Sequence, residues 1–446
     1  MSEPHLSEED IQAKLELEQV EDAEKTQDGI PRRRKMTEEQ IEQLIREEKA
    51  ISVRDAIKTH KRILAYCTIS FLCGMTYGYD SVANGSTVAM PAFLLSFGAV
   101  DETGSLYAPS VWTSLWSSMS NAGQVVGSFT VGPVAQLIGR RYAIIVYAAL
   151  SIAGTAVQFT ADSRGMLLAG KIINGVTVGA LLAVGTTYAS EIATVRLRGP
   201  LLQTLVFFSV AMQGTSLGVV RAFVPNLNPS AWKTVFALQW VFGSLPMVAI
   251  FYPESPLWLV TKGKDEQARK MLRRLYGNER EVEIRYELLL HTYEKEKALE
   301  NEQASFSECF KGPDLKRTLT IMLLMFSNGT IGAGFLAQNI YFLLTVGLPA
   351  IHSFDIGIGG FFLGAVAIVL SSIYSDRIGR RRLFLWGTFV NTLGMLIIGC
   401  LGIKSSKAIA WAIAVVMNLL ISWQVFACVG VSWSMSPEIS SYRLRQ

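Results

Sequence analysis

The sequence has little of what an enzyme or a metal protein requires. Only four of its 446 residues are histidines, and its five cysteines form no CxxC pair. This usage of cysteine and histidine predicts no zinc site and no disulfide framework. A phosphate-binding glycine loop of the GxxxxGKS type is also missing, so ATP is not the expected source of energy. We predict a protein that catalyses no covalent reaction and uses no metal or cofactor.

Charged residues are scarce as well, at 17% of the chain, whereas hydrophobic residues make up 50%. A soluble domain does not need this balance, so a protein embedded in a lipid bilayer is the first hypothesis. Most charges fall in residues 1–62 and 253–317, and the net charge of +4 is no sign of nucleic-acid binding. The first 60 residues lack the apolar core of a cleaved signal peptide, and we expect them to form a largely disordered tail.

Ten long apolar segments fill the rest of the chain. A helix needs about 20 apolar residues to cross the hydrocarbon layer, where its backbone must satisfy its own hydrogen bonds. The predicted spans cover residues 63–85, 111–137, 142–159, 166–189, 201–223, 234–252, 319–345, 356–374, 383–401 and 409–435.

Basic residues cluster at alternate connections between these spans, for example at Arg140 with Arg141 and at Arg380 with Arg381. By the positive-inside rule, these connections and both termini are predicted to face the cytoplasm. Residues 253–317 alternate charge at helical spacing, which is typical of short solvated helices. The chain is therefore predicted to contain a tail (1–60), a first six-helix half (61–252), a cytoplasmic linker (253–317) and a second half (318–446).

Two motifs recur in the same order in the two halves. LIGRRYAI (137–144) follows the second predicted span, and RIGRRRLF (377–384) follows the eighth. SEIATVRLR (190–198) follows the fourth span, and PEISSYRLR (437–445) follows the tenth. Two motifs repeating in register indicate duplicated halves. Because the last motif is followed by a single residue, Gln446, we expect the second half to be truncated after its fourth span, without spans eleven and twelve.

Pairs of glycines four residues apart allow helices to approach closely. Such pairs are Gly123 with Gly127, Gly175 with Gly179, and Gly360 with Gly364. We expect these glycines to serve helix packing rather than ligand binding.

The motifs taken together resemble the sugar porter family of the major facilitator superfamily, most closely its fungal α-glucoside (maltose-type) permeases. The matching pieces are GYD (78–80), GRR (139–141), YASEI (188–192), PESPLWL (253–259) and DRIGRR (376–381). The resemblance covers about residues 60–445. It implies an all-α membrane protein of two six-helix halves.

In that family, paired charges at the inner ends of the helices form cytoplasmic gate salt bridges. Anchoring by the positive-inside rule is the alternative for the arginines. Two departures, Gln136 in place of an acidic residue and Leu257 in place of an arginine, predict a looser gate. The resemblance assigns the gate role to Arg140, Arg141, Glu191, Arg198, Glu254, Asp376, Arg380, Arg381, Glu438 and Arg445.

Asp80 lies late in the first predicted span, and a carboxylate inside a membrane is a functional-site candidate by default. The resemblance implies that Asp80 couples transport to protons and that Lys171 stands where the family has a tuning arginine. The alternative is that Asp80 lies in water on the extracellular side.

Sugars need partners that donate and accept hydrogen bonds, together with an aromatic face. The resemblance implies such roles for Gln213 and Trp433, with Asn328, Gln338 and Asn339 as further polar candidates. An interhelical hydrogen bond is the alternative for Gln213 and Asn328, and packing is the alternative for Trp433. Another sugar-contact position of the family holds Val206 here.

The resemblance predicts a monomeric, multi-pass plasma-membrane transporter that imports a sugar, of the maltose or hexose class, by proton symport with alternating access. Three alternatives stay open at this point. They are a facilitative sugar carrier, a nutrient sensor that does not transport, and an inactive truncated product.

Overall fold

The computed structural model describes residues 38–100, 106–300, 312–330, 343, 350–403, 407–432 and 435. The chain divides into a unit Met1–Arg46 and a larger unit Glu47–Gln446. Helix α1 (Glu38–Ala50) runs across this boundary, and the features below belong to the larger unit.

Helices dominate the larger unit. Two strands of two residues each, β1 (Ala99–Val100) and β2 (Leu106–Tyr107), pair in antiparallel orientation. The short 3₁₀ segments Thr87–Ala89 and Leu245–Phe251 extend two of the helices. The remaining helices are α2 (Val53–Thr59), α3 (Lys61–Ser86), α4 (Pro91–Phe97), α5 (Ser110–Ile138), α6 (Arg140–Phe159), α7 (Arg164–Ile192), α8 (Val195–Phe223), α9 (Ser230–Ser244), α10 (Pro256–Thr261), α11 (Asp265–Tyr276), α12 (Glu279–Glu300), α13 (Gly312–Asn328), α14 (Ala350–Ile378), α15 (Arg380–Leu401) and α16 (Lys407–Gln424).

Within the described residues, seven helical stretches are long and apolar enough to cross a membrane. Helices α3 and α5 have the length of spans but carry more polar residues, including several serines and threonines. Most of the predicted span 319–345 lies outside the described residues, so the number of spans stays a prediction. The seven are Arg140–Phe159, Arg164–Ile192, Val195–Phe223, Ser230–Phe251, Ile351–Ser371, Arg380–Leu401 and Ala408–Ser432.

Helices α3 and α5–α9, here called the N-terminal bundle, pack through glycines that bring backbones together. A Cβ placed on Gly127 of α5 would lie 1.9 Å from the carbonyl oxygen of Val176 in α7. A Cβ on Gly175 of α7 would lie 2.3 Å from the carbonyl oxygen of Ser120. The structure confirms the close helix approach predicted from the first two glycine pairs.

The repeated Ile-Gly-Arg-Arg motif adopts one backbone conformation in both places. Gly139 has φ 98° and precedes α6, which begins at Arg140. Gly379 has φ 89° and precedes α15, which begins at Arg380. A positive φ strongly favours glycine, so the duplication extends to local geometry.

Helices α14–α16, the C-terminal bundle, meet the N-terminal bundle mainly where α14 packs along α8. An apolar cluster joins them, made of Val206 and Val210 from α8 with Ala365 and Ile368 from α14. Helix α6 starts at Arg140, and the succeeding spans alternate in direction. Arg140 therefore lies at one end of the assembly and Arg221, in the last turn of α8, at the other.

The glycine contacts generate a stability prediction. Gly127→Ala should destabilise the protein by about 1–3 kcal/mol, because the added methyl group must displace the backbone of α7. Gly132→Ala in the same helix would meet no described residue within 4 Å and should be neutral or slightly stabilising. Thermal unfolding of both variants in detergent, followed by size-exclusion chromatography, measures the difference. Equal melting temperatures would contradict the close contact.

Candidate functional site

A polar cluster surrounds Asp80 in the middle of the N-terminal bundle. Asp80 is 2% exposed, although α3 is otherwise mostly apolar. Its Oδ1 accepts hydrogen bonds from the side-chain amides of Asn174 in α7 and of Gln239 in α9, the latter at 3.0 Å. Three helices thus converge on one carboxylate oxygen.

The amide of Asn174 is oriented by its own neighbours. Its Oδ1 accepts from the hydroxyl of Ser151 at 3.1 Å and from that of Thr177 at 3.4 Å. With the oxygen held in this way, the Nδ2 group is left to donate toward Asp80. All four side chains are buried, so the cluster positions the carboxylate rigidly.

Lys171 lies in the same buried region but does not bond directly to Asp80. Its Nζ donates to the carbonyl oxygen of Asn84 at 2.9 Å and lies 5.6 Å from the ring centre of Trp116. The ion pairs between described residues do not include Asp80 with Lys171, although the two charges are near enough to interact. Oδ2 of Asp80 has no hydrogen-bond partner in the described part of the chain.

The cluster is dry. A crevice beside Asp80, bounded by Thr76, Tyr79 and Phe242 among others, has no room for a water molecule. Asp80 is therefore shielded from water in this structure, which speaks against the alternative that it lies in extracellular water. The crevice is also too small to hold a sugar, so the cluster is a candidate ion-coupling site and not a sugar pocket.

Among the predicted sugar contacts, the structure describes the surroundings of one. Gln213 is partly buried in α8, and its Nε2 donates to the hydroxyl of Ser81 in α3 at 3.3 Å. Asn328 ends helix α13, but its side chain lies outside what the structure describes. Gln338, Asn339 and Trp433 also lie outside the described residues. Whether these residues meet in one pocket stays a prediction.

A second polar cluster lies at the Arg140 end of the N-terminal bundle. Arg140 pairs with Glu191 of α7, with Nη2 2.8 Å and Nε 3.1 Å from the same carboxylate oxygen. The other oxygen of Glu191 accepts from the hydroxyl of Ser255. The pair is largely buried, with side chains 14% and 8% exposed.

Glu254 closes this cluster by capping helix α6. Its Oε1 accepts from the backbone N–H groups of Arg140 at 2.9 Å and Arg141 at 3.2 Å, and from that of Ser255 at 3.0 Å. An anion is stabilised at a helix N-terminus because the first backbone N–H groups lack partners in the helix. Burial raises the pKa of Glu254, and these donors limit the rise.

The other predicted gate residues fall in three groups. The guanidinium of Arg141 donates to the carbonyl oxygen of Ile250 at 2.6 Å, and that of Arg198 to the carbonyl oxygen of Ser190 at 3.1 Å. Arg380 is half-buried and Arg381 is exposed. The side chain of Asp376, together with Glu438 and Arg445, lies outside the described residues. The contacts named above for Arg140, Arg141, Glu191 and Glu254 join parts of the N-terminal bundle and the linker.

Sequence reasoning missed Asn174, Gln239 and Ser255. Asn174 follows Lys171 by three residues in an apolar span and so lies on the same helix face, which is a usable signal. Ser255 adjoins Glu254 in a motif that was already singled out. Gln239 carried no local signal, because only the packing of α9 against α3 brings it to Asp80.

Comparison with known proteins decides the family. Residues 66–446 match the family model described as sugar (and other) transporter. The MFS transporter fmqE of Aspergillus fumigatus is 49% identical over 92% of this chain and 79% of its own length. The chain belongs to the sugar transporter family of the major facilitator superfamily. It is a multi-pass membrane transporter and not an enzyme, as predicted.

Other relatives agree with this assignment. The alpha-glucosides permease MPH3 of Saccharomyces cerevisiae is 30% identical to this transporter over 89% of the chain and 68% of its own length. The solved structure of the proton:xylose symporter XylE bound to 6-bromo-6-deoxy-D-glucose superposes with a TM-score of 0.74 at 20% identity, over 87% of this chain and 84% of XylE. The latter likeness confirms the predicted major facilitator fold.

The Glu254 cap generates a prediction about the repeated glycines. A Cβ on Gly139 would lie 2.3 Å from Oε2 of Glu254, whereas a Cβ on Gly379 would meet nothing within 4 Å in the part of the chain that the structure describes. Gly379→Ala should cost about 1–3 kcal/mol, because φ 89° with ψ 124° is a conformation that residues with a Cβ rarely adopt. Gly139→Ala should cost about 1–3 kcal/mol more, because it also displaces a buried carboxylate from its donors.

Melting temperatures of the two alanine variants test this difference. In a background with Glu254→Ala, the additional cost of Gly139→Ala should largely disappear, because the displaced group is no longer present. An additional cost that persists in that background would contradict the role of the cap.

Proposed function

We propose that this transporter imports a sugar by proton symport with alternating access, with an α-glucoside such as maltose as the leading substrate. The observation that best supports this proposal is the burial of the Asp80 carboxylate in a dry polar cluster, with the ammonium group of Lys171 nearby. A carboxylate inside a membrane protein can take up and release a proton, and its two states differ in their need for a counter-charge.

The surroundings of Asp80 suit such a role. Oδ1 receives two amide donors, which hold the carboxylate in place, and Oδ2 makes no hydrogen bond of normal length among the described residues, although the side chain of Asn84 is near enough to interact. A proton on Oδ2 would cancel the negative charge that balances Lys171. Because Asp80 and Lys171 lie in α3 and α7, that change would alter the attraction between two helices of the N-terminal bundle, and this links protonation to helix movement.

The proposed substrate class draws on the relatives. MPH3 is named an alpha-glucosides permease and is 30% identical to this chain over 89% of the chain. Gln213 supplies an amide that can exchange its bond with Ser81 for one to a sugar hydroxyl. Asn328, Gln338, Asn339 and Trp433 are the further proposed contacts.

We propose a monomer in the plasma membrane with the Arg140 end in the cytoplasm. The pair of Arg140 with Glu191, together with the Glu254 cap, then forms the first-half part of the inner gate. Asp376, Arg380, Arg381, Glu438 and Arg445 are the proposed second-half part. When the two halves rock, contacts between these two parts would break, and the separated charges would then have to be solvated.

Uptake of labelled maltose and glucose by cells that lack their own sugar transporters tests the proposal. Cells expressing the full chain should accumulate sugar above the outside concentration, and more so at acidic pH. Asp80→Asn should abolish accumulation, since the amide cannot bind and release the proton. Asp162→Asn, which removes an exposed carboxylate between α6 and α7, is the matched control and should leave uptake unchanged.

Three outcomes would contradict the proposal in different ways. Uptake that only equalises the two concentrations at every pH indicates a facilitative carrier. Retained accumulation in Asp80→Asn excludes Asp80 as the coupling group. A correctly inserted protein that takes up neither sugar is a sensor, an inactive product or a carrier of another solute.

A further inference from the structure

An ion pair joins the two bundles at the end of the assembly opposite Arg140. Arg221 lies in the last turn of α8, and Asp355 lies near the start of α14. The guanidinium Nε donates to one carboxylate oxygen of Asp355, and Nη2 donates to the other at 3.2 Å. Among the ion pairs between described residues, this one alone connects the N-terminal with the C-terminal bundle.

The pair is well suited to break and re-form. Its side chains are 42% and 44% exposed, so both charges can be hydrated when they separate. An exposed pair adds little to folding stability. The two-donor geometry nevertheless fixes one arrangement of the helix ends, because a guanidinium fork fits a carboxylate in a single plane.

The surface beneath the pair is smooth and mostly apolar. Gly214, Gly218 and Arg221 lie along one stripe of α8, and a Cβ on Gly214 would meet Phe361 of α14 at 3.1 Å. Leu217 and Phe354 belong to the apolar cluster at this end. The ion pair supplies the directional polar contact between the bundles here.

We propose that Arg221 and Asp355 form a reversible latch that holds this end of the transporter closed. The latch opens when the bundles rock apart and closes again when the Arg140 end opens. This inference rests on the alternating-access part of the proposed function. It does not depend on the substrate, on proton coupling or on which end faces the cytoplasm.

A cysteine at position 218 can report on opening. Gly218 lies one turn from Arg221, and a Cβ there would meet no atom of the described residues within 4 Å. In a background with Cys309→Ser and Cys400→Ser, the remaining Cys67, Cys73 and Cys428 are buried. The rate at which a polar maleimide labels Gly218→Cys is then measured on full-length protein in open membrane fragments, where both faces are accessible and no transported solute is needed.

Arg221→Ala and Asp355→Ala should each raise the labelling rate about twofold to fivefold, the size expected for loss of one exposed ion pair. The double variant should label no faster than the single variants, because they break the same contact. The charge swap R221D/D355R should recover at least half of the change. Recovery is incomplete because the swap places each charge at the less favourable helix end.

Lys233→Ala is the matched control. Lys233 is a basic residue at the same end, in α9, where its ammonium group lies over the rings of Trp232 and Phe159. It takes no part in the ion pairs between described residues, so its loss should leave the labelling rate unchanged. The background without Gly218→Cys should label slowly in every variant, which excludes unfolding as the cause.

Labelling rates that stay at the reference value in both single variants would overturn the latch. So would a charge swap that labels as fast as the single variants, since the two charges would then act independently. If the labelling rates change as expected but the protein takes up no sugar, the proposed substrate is overturned and the latch is not.

Discussion

Inside a bilayer each polar group must find its partner within the protein, and this constraint governs the structure. It requires long helices, whose backbones satisfy themselves, and it limits what a charged side chain can do. The carboxylate of Asp80 is held by two amides from other helices. The ammonium group of Lys171 donates to a backbone carbonyl oxygen and lies over an aromatic ring. The two charges thus occupy neighbouring sites that are built from different helices.

The same constraint explains the role of glycine. Without a strong hydrophobic drive between helices, association depends on close backbone contact, and glycines at positions such as 127 and 175 provide it. The N-terminal bundle is therefore tightly packed around Asp80. The contact between α8 and α14 is of another kind, with side chains such as Val210 and Ile368 meeting across an apolar surface. The tight contacts suit a body that moves as a unit, and the apolar contact suits a joint.

Polar contacts at the two ends of the molecule also differ, because those at one end lie within a bundle and that at the other end lies between bundles. At the Arg140 end, Glu191 and Glu254 tie α6, α7 and the linker into one body. Their partners are buried, so these contacts are costly to break. At the other end, the exposed pair of Arg221 with Asp355 connects two bodies and can be hydrated when it opens. Buried pairs thus sit within a body, and an exposed pair sits between bodies.

The sequence alone determined the class of protein. Apolar segments of spanning length, basic connections and the repeated Gly-Arg-Arg motif specify membrane helices and their order, because these signals are local. The sequence also singled out Asp80 as a candidate, since a carboxylate in an apolar segment is unusual wherever it occurs. Tertiary structure alone decided which groups surround it. Gln239 is distant from Asp80 in the chain, and the bond of Lys171 to Asn84 depends on how α7 packs against α3. Arg221 and Asp355 each look like an ordinary charge at a helix end, and only the meeting of α8 with α14 makes them a pair.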